Sequence, residues 1–132
     1  MRPANGEPVE QESRWRVLVA DDDPAICKLI ETVLRRGPYE ITSCADGESA
    51  LATLDRDGPF DMMICDFMLP GISGLDLIER VRSLENGGVP ILMISGHTTL
   101  VRDRAKLAGA NIFLNKPFTL SQLRSAVATL LA

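Results

Sequence analysis

The sequence predicts an α/β fold, a doubly wound parallel sheet with helices on both faces, and three observations lead to it. Short apolar runs alternate with segments of helical periodicity. Three runs, Val17-Leu18-Val19-Ala20, Met62-Met63-Ile64-Cys65 and Ile91-Leu92-Met93-Ile94, are apolar throughout, as strands covered on both faces are. Each run stops at a polar residue, and the helical stretches between runs are long enough to serve as crossovers between parallel strands. The length of 132 residues, with 45% hydrophobic and 24% charged content, suits one domain.

Residues 1–14 carry two prolines and three glutamates and too little apolar area to offset an ordering cost of about 1–2 kcal/mol per residue. They are expected to form a flexible extension to a domain spanning 15–132. Val17 to Ala20 forms the first strand, which ends at Asp21-Asp22-Asp23-Pro24. Asp23 occupies an N-cap position and Pro24 the first helical one, and Ile26, Leu29, Ile30, Val33 and Leu34 recur along one face of the helix that follows. Gly37-Pro38 closes that helix. Tyr39 to Cys44 alternates as a strand with one partly wet face does, and Asp46-Gly47-Glu48 opens a helix over Ser49 to Leu54.

The third strand, Met62 to Cys65, ends at Asp66. After the loop 67–74, a helix bears Leu75, Ile78, Val81 and Arg82 and stops near Asn86-Gly87-Gly88. Ile91 to Ile94 is a fourth strand ending at Ser95; a helix from Thr98 to Ala108 is stopped by Gly109. Ile112-Phe113-Leu114 is a fifth strand ending at Asn115-Lys116. Thr119 and Gln122 form a capping box for a last helix, with Leu120, Leu123, Val127 and Leu130 on its apolar face.

Composition excludes several classes of function. Lys and Arg number 14 against 18 Asp and Glu, a net charge of −4, so the cationic excess that binds a nucleic-acid backbone is missing and direct nucleic-acid binding is not expected. No apolar run approaches the ~20 residues that span a bilayer, and residues 1–14 contain no apolar secretory region, so no membrane contact and a cytoplasmic location are expected. Cys27, Cys44 and Cys65 are odd in number and scattered, which reads as reduced core thiols and not as a disulfide frame or a metal site. The strand pleat points Cys65 away from Asp66.

In a parallel sheet the carboxyl ends of all strands share one rim, where ligands bind. That rule brings Asp21, Asp22, Asp66, Ser95 and Lys116 together. Three carboxylates within ~5 Å of one another repel by roughly 3 kcal/mol per pair at an effective dielectric of 20. Relief comes from a retained proton or from a cation, and hard carboxylate oxygens suit Mg²⁺. A site with a cation, a lysine, a hydroxyl and a carboxylate nucleophile is equipped for phosphoryl transfer. Lys116 and the cation neutralise phosphoryl oxygens, Ser95 donates a hydrogen bond, and Asp66 attacks without needing a general base.

Four stretches in order, each at a strand end, resemble the receiver domain of two-component response regulators over about residues 15–132. They are Val-Leu-Val-Ala-Asp21-Asp22-Asp23-Pro, Met-Met-Ile-Cys-Asp66-Phe-Met-Leu-Pro70-Gly-Ile-Ser-Gly74, Ile-Leu-Met-Ile-Ser95-Gly96 and Phe113-Leu-Asn-Lys116-Pro117-Phe118. The resemblance implies five strands in the order 2-1-3-4-5 with five helices. It also implies that Asp66 is phosphorylated by a histidine kinase or a histidine phosphotransfer protein, with Mg²⁺ as cofactor. Asp22, Asp66 and the backbone carbonyl of Met68 would bind the ion directly, and Asp21 mostly through water. Ser95 and Lys116 would hold the phosphoryl group, Gly96 would leave it room, and Phe113 would be the aromatic switch that follows Ser95. A cis peptide is implied at Lys116-Pro117.

The same resemblance makes the chain a signalling domain that assists its own phosphorylation and dephosphorylation, and not an enzyme in the ordinary sense. Helix 4, strand 5 and helix 5 would form the surface for a downstream protein or a homodimer, with Leu100, Arg102, Arg104, Lys106 and Asn111 as candidates. The phosphoryl donor would dock near Pro24, Ala25, Ile26, Pro117 and Phe118. Met68 and His97, each two residues beyond a site residue, would set the phosphoryl lifetime, with Met68 favouring a long one. The domain is expected to end at its fifth helix with no output domain in this chain, which would be a stand-alone regulator or a piece of a longer one.

Other classes fit less well. A flavodoxin-like FMN carrier needs a Ser, Thr or Gly-rich phosphate cradle after the first strand, where Asp-Asp-Asp-Pro would repel phosphate. A phosphatase of the haloacid-dehalogenase type would resemble Asp-x-Asp-Gly-Thr there, but Pro24-Ala25 follows Asp23. A receiver-like binding module without phosphoryl chemistry would have no need of every site residue type.

Overall fold

The structure, a computed structural model, describes residues 14–84, 88–96 and 99–132, the side chains of 99–102 excepted. The expected flexible extension, Arg14 aside, and His97 lie outside the described residues. Ten elements alternate: β1 (Trp15–Ala20), α1 (Pro24–Leu34), β2 (Tyr39–Cys44), α2 (Gly47–Asp57), β3 (Met62–Asp66), α3 (Gly74–Ser83), β4 (Ile91–Ser95), α4 (Thr99–Ala108), β5 (Ile112–Asn115) and α5 (Leu120–Leu131). The strands form one parallel sheet in the order β2-β1-β3-β4-β5, the expected order. β1 is therefore flanked by β2 and β3, and the crevice at this switch in strand order opens at their carboxyl ends.

Alternation along the strands builds two apolar layers. Leu18, Met63, Cys65, Ile91 and Met93 pack with Ala50, Leu77, Ile78, Val81 and Ala105 of α2, α3 and α4. Val17, Val19, Met62, Ile64, Leu92 and Ile94 pack with Ile30, Val33, Leu34, Leu123 and Val127 of α1 and α5. Fully burying one such aliphatic side chain contributes about 1.5–3 kcal/mol, so this two-sided core fixes strand register and, with it, which residues reach the rim.

The helix ends follow the expected caps. Asp23 accepts from the Ala25 amide at 2.9 Å with Pro24 at the first helical position, and Thr119 and Gln122 cap each other reciprocally. Four details differ from expectation. β1 begins at Trp15, whose amide donates to the Pro38 carbonyl at 2.7 Å. α2 runs from Gly47 to Asp57, beyond the predicted Ser49 to Leu54, because Asp55, Arg56 and Asp57 continue the helix on its wet side, where no apolar residue marks it. α3 ends at Ser83. Leu29 and Leu120, placed on apolar faces by periodicity, are 36% and 42% exposed; α1 and α5 bury narrower stripes than the sequence pattern suggests.

α3 comes close to the end of β3. Gly74 donates its amide to the Phe67 carbonyl at 2.9 Å, and a Cβ at Gly74 would run into the carbonyl oxygen of Asp66. The glycine lets the helix start directly behind the rim. The peptides Lys116-Pro117, as expected, and Gly58-Pro59 are cis.

Candidate functional site

Asp21 follows β1 and is 3% exposed; Asp66 ends β3 and is 7% exposed; Asp22 is exposed. One oxygen from each of the three carboxylates lies within 4.8 Å of the other two. Lys116, the residue after β5, brings its Nζ to 3.4 Å from Asp66 Oδ1 and 3.8 Å from Asp21 Oδ2. Strand alternation explains why these three side chains meet: Asp21 continues the register of Val17 and Val19, Asp66 that of Met62 and Ile64, and Lys116 that of Ile112 and Leu114. Cys65 packs in the opposite layer, as the pleat requires.

Backbone groups complete the nest. The Asp23 amide donates to Asp21 Oδ1 at 2.9 Å, and the Met68 amide lies 3.4 Å from Asp66 Oδ1. Burial pushes the Asp21 carboxyl above the usual carboxylate range; the Asp23 amide opposes this, the Asp66 charge adds to it, Lys116 opposes it, and Asp22 adds a smaller push. Two buried carboxylates and one exposed one against a single lysine leave excess negative charge on hard oxygen donors. Such a donor set suits a divalent cation such as Mg²⁺.

Ser95 ends β4 and is 1% exposed, and its carbonyl accepts from the Lys116 amide at 2.9 Å, which ties the ends of β4 and β5 together. Among the described residues, a Cβ at Gly96 would meet nothing nearer than the Lys116 Cβ at 3.9 Å. Phe113 does not join the carboxylates. It pairs with Met93, one alternation step back from Ser95, and is half-buried against the layer that includes Ala105 of α4. The Met68 side chain is 59% exposed.

One expectation needs correction. Cys27 is only half-buried, and its Sγ donates to the Asp21 carbonyl at 3.3 Å; burial and the Asp21 charge raise its pKa, so it supports the rim and is not a plain core thiol. Its place in the first turn of α1, just past the acidic run, was the signal in the sequence. Asn111, expected on a signalling surface, is exposed, and its Oδ1 accepts from Ile91 N at 2.8 Å and from Arg82 Nη2 at 2.9 Å. Arg104 and Lys106 are exposed as expected, whereas the side chains of Leu100 and Arg102 lie outside the described residues. Around the rim, Pro24, Ala25 and Pro117 are exposed, and Ile26 and Phe118 half-buried.

The family model of the response regulator receiver domain matches residues 17–128. The chain belongs to this family. This receiver domain is 38% identical over 125 residues to the probable transcriptional regulatory protein TcrX of Mycobacterium tuberculosis, a match covering 93% of this chain and 50% of TcrX. It is 35% identical over 115 residues to the DNA-binding response regulator MtrA of Mycolicibacterium smegmatis, covering 86% of this chain and 49% of MtrA. The chain thus spans about half the length of these relatives.

Among solved structures, a putative response regulator from Chloroflexus aurantiacus matches with a TM-score of 0.85 and 37% identity, covering 89% of this chain and 98% of that one. The receiver domain of the sensor histidine kinase PA1611 of Pseudomonas aeruginosa, whose structure holds a magnesium ion in its active-site cleft, matches at 0.82 and 29% identity, covering 89% and 98%. This receiver domain is a signalling domain of the two-component type. No helix among the described residues is long and apolar enough to cross a membrane.

Proposed function

We propose that this receiver domain, spanning residues 15–132, takes a phosphoryl group on Asp66 from a histidine kinase or a histidine phosphotransfer protein in a Mg²⁺-dependent reaction. The observation that carries the proposal is the nest itself: Asp21, Asp22 and Asp66 within 4.8 Å of one another, with Lys116 bridging Asp66 and Asp21. Asp22, Asp66 and the Met68 carbonyl would hold the ion, and Asp21 would act through water. When bound, the ion supplies positive charge against the phosphoryl oxygens.

An Asp66 carboxylate oxygen attacks phosphorus as the bond to the donor's imidazole nitrogen breaks. Lys116 moves from its carboxylate partners to a phosphoryl oxygen, and Ser95 donates its hydroxyl to another. The acyl phosphate carries a charge of up to about −2 in place of the −1 of the Asp66 carboxylate, so about one negative charge is gained and the charge now sits on phosphoryl oxygens beside Ser95. Displacement of Ser95 toward that charge opens space behind it, and Phe113 follows, changing the surface of α4, β5 and α5 for a protein target or a second copy. Direct nucleic-acid contact is not part of the proposal, given the net charge of −4.

Acetyl phosphate with Mg²⁺, followed by intact mass measurement, tests the assignment. Wild type should gain one phosphoryl group and Asp66→Asn none; equal labelling of both would overturn it. Ile26→Asp should slow transfer from a phosphohistidine donor and leave acetyl phosphate labelling unchanged. Equal slowing of both reactions would remove the docking face from the account.

A further inference from the structure

Arg82, in the last turn of α3, joins three separate stretches of chain through one guanidinium. Nη1 donates to the Val89 carbonyl at 2.6 Å, just ahead of β4. Nε and Nη2 both donate to the Gly109 carbonyl, at 3.2 and 2.7 Å. Nη2 also reaches Asn111 Oδ1 at 2.9 Å, and that oxygen accepts from the Ile91 amide. A planar fork of donors suits this task in a way a single ammonium does not.

Gly109 is the residue that terminates α4. Its amide donates to the Ala105 and Lys106 carbonyls, and the Ala110 amide to Ala105, all within 3.1 Å. Its φ of +119° favours glycine, and a Cβ there would lie 2.9 Å from Arg82 Cγ and Nε, so the arginine stem lies directly against the helix end. A cation at a helix C-terminus also complements the helix dipole. Of the side chains described from Asp103 to Ala108, Ala105 is buried, Ala108 half-buried, and Asp103, Arg104, Lys106 and Leu107 exposed, Leu107 to 89%. The opposite end of α4 begins at Thr99, a short step from Ser95.

We infer that Arg82 pins the C-terminal end of α4, so that a displacement starting at Ser95 turns the helix about the Gly109 end and does not shift it bodily. The pin stands on the geometry of the resting molecule, whereas the pivot rests on the phosphoryl reading above.

Hydrogen exchange on the full chain separates the two parts. In the metal-free protein, Arg82→Ala should speed exchange of the Gly109 and Ala110 amides by about tenfold or more while β1 and β3 amides stay within about twofold of wild type. Arg82→Lys, which keeps the charge on a single donor nitrogen without the planar fork, should fall between wild type and Arg82→Ala and serves as the variant if Arg82→Ala does not fold. Unchanged exchange at Gly109 and Ala110, or acceleration equal to that of β1 and β3, would refute the pin. After acetyl phosphate and Mg²⁺, exchange in wild type should change mainly from Thr99 to Asp103, and in the Arg82 variants along all of α4. A uniform change along α4 in phosphorylated wild type would refute the pivot. If no phosphoryl group is taken up, the phosphoryl reading and the pivot fall together, and the pin is still judged on the metal-free comparison.

Discussion

Replacing Lys116 by Met removes the cation that the structure sets against two buried carboxylates while keeping most of the apolar stem. At an effective dielectric of 20, a unit charge pair at the 3.4 Å separation from Asp66 is worth about 5 kcal/mol, and one at the 3.8 Å separation from Asp21 about 4 kcal/mol. The net effect is smaller, because the Lys116 side chain is 29% exposed and water screens it, and because the unfolded chain solvates all three groups. A loss of about 2–4 kcal/mol in the metal-free protein at neutral pH is expected, a fall in Tm of roughly 6–16 °C for a domain of this size. Urea unfolding of both proteins, with EDTA and with Mg²⁺, measures it. Mg²⁺ should recover more than half of the loss, since the ion restores positive charge to the nest, and acidification should also shrink it as Asp21 takes up a proton. A loss below about 1 kcal/mol, or one that Mg²⁺ leaves untouched, would show that the carboxylates are not crowded enough to matter.

The pH response of metal-free wild type follows from Asp21. Its folded pKa lies above the unfolded value of 3.8, so the folded state binds the proton more tightly, and this group's contribution should rise as pH falls through the raised pKa and be complete below 3.8. A pH series for Asp21→Asn, which keeps an acceptor for the Asp23 amide, should lack that rise; matching profiles would exclude Asp21 as its source. Asp22→Ala should raise the metal-free stability by a smaller amount, about 0.5–1 kcal/mol, because Asp22 is exposed, and should abolish Mg²⁺-dependent labelling of Asp66. A lower melting point without Mg²⁺ would count against it. Met68, 59% exposed beside Asp66 and unable to orient a water as an amide or acid does, should give a phosphoryl group that outlasts the one on Met68→Asn. Decay of wild type within seconds, or no faster decay in the variant, would contradict this role.

The architecture was legible because each central strand is an apolar run that ends at one polar residue. Parallel topology then carries Asp21, Asp66, Ser95 and Lys116 to one rim without any knowledge of tertiary contacts. Features that depend on distant partners were not legible. The Arg82 guanidinium meets a carbonyl 27 positions away, and Asn111 accepts an amide 20 positions back; neither contact leaves a local pattern. Leu29 and Leu120 fit a helical stripe but sit at its margin, where the neighbouring helix or sheet decides burial. The last turn of α2 is polar, so periodicity stops before the helix does. Cys27 looked like core because thiols usually are, yet the turn after β1 places it against the Asp21 carbonyl.

Calorimetric titration of the metal-free chain with Mg²⁺ tests most directly whether the three gathered carboxylates form a cation site. One ion per chain is expected, with affinity weakened by about tenfold or more in Asp22→Ala and again in Asp66→Ala, as removal of a charged ligand requires. Binding that does not saturate, or that is equally strong in wild type and both variants, would contradict the account.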